Sequence, residues 1–177
     1  MNGRYDIARA GFEQLKNHDS YRSVVPYYLL QIEYRERNYD YVVSEGERLL
    51  AVSTKSVRDD LLRIVAESYF VKGDYVMSLK YINDYPADKH SRQENYIKGY
   101  SLYRLGRYRE AISPLRTVCG AMDGLTQNAS YHLAECYLNT GDLQSATSAF
   151  SMASTDGFDE EIAENALLNY GRLKFEL

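Results

Sequence analysis

One short pattern recurs along the chain and constrains it more than any other feature. A hexapeptide with glycine at its first place, an aromatic at its third and a small residue at its sixth recurs five times, with departures in two of the copies. The copies are Gly3-Arg-Tyr-Asp-Ile-Ala8, Arg37-Asn-Tyr-Asp-Tyr-Val42, Gly73-Asp-Tyr-Val-Met-Ser78, Gly106-Arg-Tyr-Arg-Glu-Ala111 and Gly141-Asp-Leu-Gln-Ser-Ala146. They begin 34, 36, 33 and 35 residues apart. A near-constant period of this length marks a supersecondary unit that cannot bury its apolar face alone and stacks on its neighbours.

The chemistry of the unit follows from its residues. Glycine at the first place ends one helix in a left-handed conformation, which costs glycine least. The aromatic anchors the turn, and the small sixth residue lets two helices approach closely. One helical turn later comes another core position: Phe12, Gly46, Ile82, Leu115 and Phe150. A second amphipathic helix precedes each hexapeptide, with Leu30, Ala66, Gly99, Ala134 or Gly171 at its centre. Glycine inside a helix costs up to about 1 kcal/mol against alanine, so Gly99 and Gly171 each call for a close packing partner. Large residues follow one turn on: Tyr34, Tyr69, Phe70, Tyr103, Tyr137 and Phe175. Pro114, inside a helix of this second kind, removes a backbone hydrogen bond and is expected to bend it.

With a period near 34, these features make the chain resemble the tetratricopeptide repeat family over its whole length. Gly73-Asp-Tyr and Gly106-Arg-Tyr-Arg-Glu-Ala111 match most closely. Arg37 in place of glycine, Gly46 in place of a large core residue and Leu143 in place of tyrosine depart from the pattern. The resemblance implies an all-α fold of antiparallel helix pairs stacked as a right-handed solenoid, with no sheet and helices of roughly 10–15 residues. Half a repeat fills residues 1–20, full repeats span about 21–56, 57–90, 91–124 and 125–158, and half a repeat fills 159–177. This phase, opening on a second helix and closing on a first, reads as a fragment of a longer array. It would leave Ala8, Phe12 and Leu15 at the start, and Leu167, Leu168, Leu173 and Phe175 at the finish, without their paired helices.

Composition narrows the partners. A net charge of −4 and a pI near 5.4 argue against nucleic acid and against an anionic membrane surface. No apolar run is long enough for a transmembrane helix. The 18 tyrosines, set against no tryptophan and 3 prolines, suit long helices with a contact surface that tolerates water. Cys119 and Cys136 read as small buried helix residues, and a disulfide would form only if the fold brought them together. A looser resemblance, carried by Gln127-Asn-Ala-Ser-Tyr-His-Leu133 and Asp159-Glu-Glu-Ile-Ala-Glu-Asn-Ala-Leu-Leu-Asn-Tyr170, is to exported bacterial proteins of many repeats. It implies the periplasm, with the cytoplasm left open.

Chemistry-bearing constellations are missing from the sequence. His18, His90 and His132 lie in different repeats, in no metal-binding spacing, and no phosphate loop or cofactor motif is present. His132 near Ser130 and Glu135 is a sequence neighbourhood, not a triad, because residues 130 and 132 do not share a helix face. Asp156, Asp159, Glu160, Glu161 and Glu164 read as the acidic dressing of a helix N-terminus. No catalytic activity and no cofactor are expected.

The resembling family binds ligands in a concave groove lined by the second, fifth, ninth, twelfth and thirteenth positions of each repeat. Those positions here are Tyr27, Gln31, Tyr34 and Arg35; Asp60, Arg63, Glu67 and Phe70; Gln93, Tyr96, Tyr100, Tyr103 and Arg104; and Asn128, Tyr131, Glu135, Leu138 and Asn139. Aromatics mixed with Arg, Asn and Gln suit a binding hot spot. Tyr96, Tyr100 and Tyr103 form one helical stripe, which is either groove or packing between helices. The family's clamp for a terminal carboxylate needs Lys and Asn at the fifth and ninth positions. Tyr27 with Gln31, Arg63 with Glu67, Tyr96 with Tyr100 and Tyr131 with Glu135 do not supply it. The expected function is a protein-interaction scaffold. The alternatives are a self-association module, joined end to end, or a non-catalytic recruiting arm of a larger protein.

Overall fold

The repeat turns set the architecture. In the computed structural model, which describes residues 3–155 and 157–176, four turns share one geometry. Gly73, Gly106 and Gly141 sit at φ of 79°, 72° and 84°, and Arg37 takes the same left-handed conformation at 63°. Each turn closes with the same two backbone bonds. The left-handed residue donates three residues back, and the next residue donates five back, as in Gly106 N–H to Tyr103 C=O (2.9 Å) and Arg107 N–H to Leu102 C=O (2.9 Å). That pair of bonds satisfies carbonyls the ending helix would leave bare. At Arg37 it holds a non-glycine residue where Cβ crowds the backbone, a strain of about 1–2 kcal/mol. The aromatic two residues on packs against the end of the preceding helix: Tyr39 on Tyr34 (6.4 Å), Tyr75 on Phe70 (6.0 Å) and Tyr108 on Tyr103 (6.0 Å between centroids).

Between these turns run ten α-helices: α1 Gly3–Leu15, α2 Val25–Arg35, α3 Tyr39–Val52, α4 Lys55–Val71, α5 Tyr75–Asp84, α6 Arg92–Arg104, α7 Tyr108–Val118, α8 Gly124–Thr140, α9 Leu143–Thr155 and α10 Glu160–Glu176. A single 3-10 turn, Ala87–Lys89, precedes α6, and no strand occurs among the described residues. Three helices, α4, α8 and α10, reach 17 residues, longer than the sequence suggested. Gly3 is the first residue of α1. Cys119 is the C-cap of α7 in extended backbone, half-buried rather than helical, and both cysteines are free thiols. The helix α7 continues through Pro114, which is buried within it. Of the acidic cluster, Asp159 caps α10 by accepting from Ile162 N–H at 3.1 Å, Glu160 and Glu161 fill its first turn, and Asp156 lies outside the described residues.

The chain divides between Pro86 and Ala87 into two compact units. In the N-terminal unit each helix from α1 to α5 packs on the next, and α2 also touches α4. In the C-terminal unit α6 to α10 do likewise, with α6 against α8 and α8 against α10. Small residues set the closest approaches. Val42, Ser78, Ala111 and Ala146, at the sixth hexapeptide place, are fully buried. A Cβ on Gly99 would stand 2.7 Å from Leu115 Cγ and 3.0 Å from its backbone nitrogen, so α6 and α7 meet only over a glycine. Gly46 does for α3 and α4 what Gly99 does for α6 and α7: its Cβ would stand 2.3 Å from Val65 Cγ2. Its departure from the repeat pattern is therefore a contact, not a gap. Gly171 has no such neighbour and is exposed, because nothing among the described residues packs over it.

Two polar devices fix helix placement in the C-terminal unit. Arg92, at the start of α6, forks onto Asp123, the N-cap of α8, at 2.7 and 3.0 Å, and also donates to Val118 C=O and Thr126 Oγ1. Its guanidinium holds the Asp123 carboxyl well below the usual carboxylate range. The amide of Gln127, fully buried, donates to Ala153 C=O (3.2 Å) and Asp159 C=O (3.0 Å) and accepts from Asp159 N–H (2.7 Å). That clasp fixes where α9 ends and α10 begins.

Candidate partner-binding faces

The expected groove residues lie on α2 and α4 in one unit and on α6 and α8 in the other, and the two faces are built differently. On α2 and α4 the organising group is Asp60. It accepts from Tyr27 Oη (2.9 Å), Gln31 Nε2 (2.8 Å) and the Arg63 guanidinium (2.7 and 3.2 Å). Burial alone would push the Asp60 carboxyl up, but these donors outweigh it and hold it below its ordinary value. Burial and the bond to Asp60 push the Tyr27 phenol up to about 12. Arg63 also reaches Glu67 at 3.7 Å and lies 6.0 Å from the Tyr34 ring centre, and Tyr34 donates its hydroxyl to Glu67. Tyr27, Gln31, Tyr34, Arg63, Glu67 and Phe70 are thus half-buried, while Arg35, the last residue of α2, is exposed.

The face on α6 and α8 is aromatic. Tyr96 stacks on Tyr100 at 5.6 Å and Tyr100 lies 5.8 Å from Tyr103. His132 of α8 inserts against both, 4.7 Å from Tyr100 and 4.8 Å from Tyr103, and Tyr131 flanks it at 5.6 Å. Glu135 meets His132 Nδ1 at 3.2 Å and accepts from Tyr103, whose phenol is pushed above its ordinary value by burial and by that bond. Arg104 donates to Tyr100 Oη at 3.0 Å and lies 5.7 Å from its ring centre. The three tyrosines keep part of their surface in water, and Arg104 is exposed. Asn128 and Asn139 turn back on their own helix, donating to Gly124 C=O and Glu135 C=O, both at 2.8 Å. Gln93 and Leu138 are exposed.

His132 is the residue sequence reasoning missed. It occupies the place where the two preceding repeats put Ile64 and Ile97, both buried. A histidine at a register position that the two preceding repeats fill with isoleucine was the available signal. Asp60 carried a signal of another kind, a carboxylate three residues before Arg63, on one helix face. Ser130, by contrast, lies away from His132 and contacts Cys119 Sγ at 3.4 Å.

Comparison with known proteins agrees with this geometry. A family profile described as "Anaphase-promoting complex, cyclosome, subunit 3", a tetratricopeptide-type repeat family, matches residues 35–118. The solved structure of MamA (MSR-1 C2), a tetratricopeptide protein, superposes with a TM-score of 0.61 over 98% of this chain and 89% of that one, at 17% identity. The chain has a tetratricopeptide-type fold. No curated protein matches it in sequence. Tetratricopeptide arrays are generally protein-interaction modules and typically non-catalytic. Among the described residues of the chain, no helix is long and apolar enough to cross a membrane.

Proposed function

We propose that this tetratricopeptide chain is a non-catalytic scaffold that binds a segment of a partner protein on the first-helix faces of its repeats, chiefly on α6 and α8. The observation that carries this reading is the stack of Tyr96, Tyr100 and Tyr103 around His132, with Arg104 beside it in water. Rigid aromatic rings next to an arginine are the residue types that anchor protein contacts, at little cost in side-chain entropy. The α2–α4 face contributes less, because its charges already satisfy one another. A photo-crosslinking residue at position 104 is expected to capture a partner from the source cell. Tyr100→Ala is then expected to weaken that partner by about 2 kcal/mol, roughly thirtyfold in Kd, measured by calorimetry. A partner bound equally well by the Tyr100→Ala protein would remove the α6–α8 face from the reading.

A second reading, self-association, has its own observation. On α10, Leu167, Leu168 and Phe175 are exposed, Phe175 at 94%, around the open Gly171. Only part of the apolar surface expected to be bare is so. Leu173 turns inward at 5% exposure, and Phe12 of α1 stacks on Tyr28 at 5.1 Å, while Ile7 and Leu15 face water. Sedimentation at increasing concentration tests this reading: Leu168→Glu should abolish any association, and a wild-type monomer at high micromolar concentration would exclude it.

A further inference from the structure

The C-terminal unit holds a second concavity that shares none of the groove residues. It lies between α7 and α9, with α8 as its floor, and measures about 410 Å³. That volume falls within the range of clefts that enclose a small ligand or a few peptide side chains. Met152, with the nearly buried Leu133 and Ala149 beneath it, makes its apolar lining, Tyr137 and Ser148 its polar edge, and Arg116 is the only charge among its described lining residues.

The electrostatics of this cleft are one-sided. The helix α9 carries no charged residue at all. The one carboxylate of α8, Glu135, is engaged by His132 and Tyr103. On α7, Glu110 is held by Arg107 at 2.6 and 2.7 Å. Arg116, and Arg109 two turns earlier on the same stripe, have no acidic partner among the described residues. In a chain whose net charge is −4, a cleft whose described lining carries one charge, a cation, stands apart. Its apolar lining includes a methionine, which adapts to side chains of different shape.

We propose that the α7–α9 cleft is a separate docking site for an extended segment of a partner protein in which an acidic residue is flanked by aliphatic ones. The acidic side chain pairs with Arg116, and a neighbouring aliphatic side chain enters between Leu133, Ala149 and Met152. An arginine fork meets a carboxylate in two-point geometry, which gives such a contact direction as well as strength.

The cleft carries its own reporter. Cys119 lines it and is half-buried, with its thiol raised by burial, whereas Cys136 is fully buried and its thiol is pushed up to about 12. Alkylation by neutral iodoacetamide, followed by peptide mapping, therefore reads Cys119 in the intact chain. The probe is the peptide Ac-LELDL-amide, with Ac-LKLKL-amide as its charge-reversed control. At roughly ten times its Kd the acidic peptide should slow Cys119 alkylation about tenfold, the fall in free cleft that mass action gives. The lysine peptide should not. Arg116→Glu, a surface change, should abolish protection by the acidic peptide and confer it on the lysine peptide. Tyr100→Ala should leave protection intact, which separates this site from the α6–α8 face. No protection of Cys119 in the wild-type chain, or protection that Arg116→Glu leaves unchanged, would overturn the proposal.

Discussion

Equivalent repeat positions carry opposite chemistry in the two units. On α2 and α4, Tyr27, Gln31, Arg63 and Asp60 close a charged network within which each group has its partner. On α6 and α8 the positions of Tyr27, Gln31 and Arg63 are filled by Tyr96, Tyr100 and Tyr131, with His132 among the rings and Arg104 at the edge. The helix pairs beneath are nevertheless alike, closed by the same left-handed turns and the same paired backbone bonds. In this array the fold is therefore specified by the turns and by the close helix contacts, and the first-helix faces are left free to vary.

Substitutions at the close contacts put the most strain on that comparison. The two units place their glycine on opposite members of the helix pair, Gly46 on the second helix and Gly99 on the first. Gly46→Leu and Gly99→Leu are each expected to cost about 3 kcal/mol in chemical denaturation, the upper part of the range for overpacking. Val65→Ala should recover part of the first loss and Leu115→Ala part of the second. Recovery in one unit alone would show that the contacts are not equivalent. Ala111→Leu and Ala146→Leu should cost about 1–3 kcal/mol each.

Alkaline titration separates the faces by partner. In both, a tyrosine donates to a carboxylate, Tyr27 to Asp60 and Tyr103 to Glu135, and folding raises its pKa. A raised folded pKa contributes stability that is fully present below the unfolded value of about 10. For Tyr27 that contribution is lost as pH rises toward about 12. Tyr27→Phe and Tyr103→Phe should each flatten the alkaline fall in stability, by no more than about 1 kcal/mol, since both rings are part-exposed and screened by solvent. A fall of unchanged steepness in both variants would mean that these hydrogen bonds do not govern it.

A smaller effect should come from Arg37. Replacing it with glycine relieves the left-handed strain but frees the unfolded chain, so the net gain should be about 1 kcal/mol or less in melting experiments. The same glycine is already present at 73, 106 and 141. A loss of stability would show that the Arg37 side chain contributes more than its backbone costs. The smallest change is expected at Ser78 and Ser101, one in each unit, whose buried hydroxyls lack a hydrogen-bond partner among the described residues. Alanine at either should raise stability by about 0.5–1 kcal/mol.

The parts of the molecule that were legible in the sequence are those fixed over a few residues. A left-handed turn, an aromatic two places on and a small residue at the sixth place leave their mark at short range, so the turns at 73, 106 and 141 and the burial of Ala111 and Ala146 could be read directly. The rest depends on what sits across the helix. Gly46 looked like a missing core residue until Val65 was seen against it, and Gly171 looked like a contact until nothing was found there. Leu173 lies on the covered side of α10 and Leu168 on the bare side, a distinction that rests on the roll of one helix. The candidate face was half legible: repeat register found the tyrosines, and His132 emerged only when α8 was placed beside α6.

The clasp made by Gln127 has a consequence for how this array tolerates its surroundings. Several cross-helix contacts here join opposite charges, as Arg92 joins Asp123 and Lys72 joins Asp40, and concentrated salt or acid weakens such pairs. The Gln127 amide is neutral and fully buried, and three of its bonds go to backbone groups of Ala153 and Asp159, which do not titrate. Those three bonds at the seam between α9 and α10 are therefore insensitive to ionic strength and to pH, and they should persist under conditions that loosen a salt-bridged seam such as that of Arg92 and Asp123.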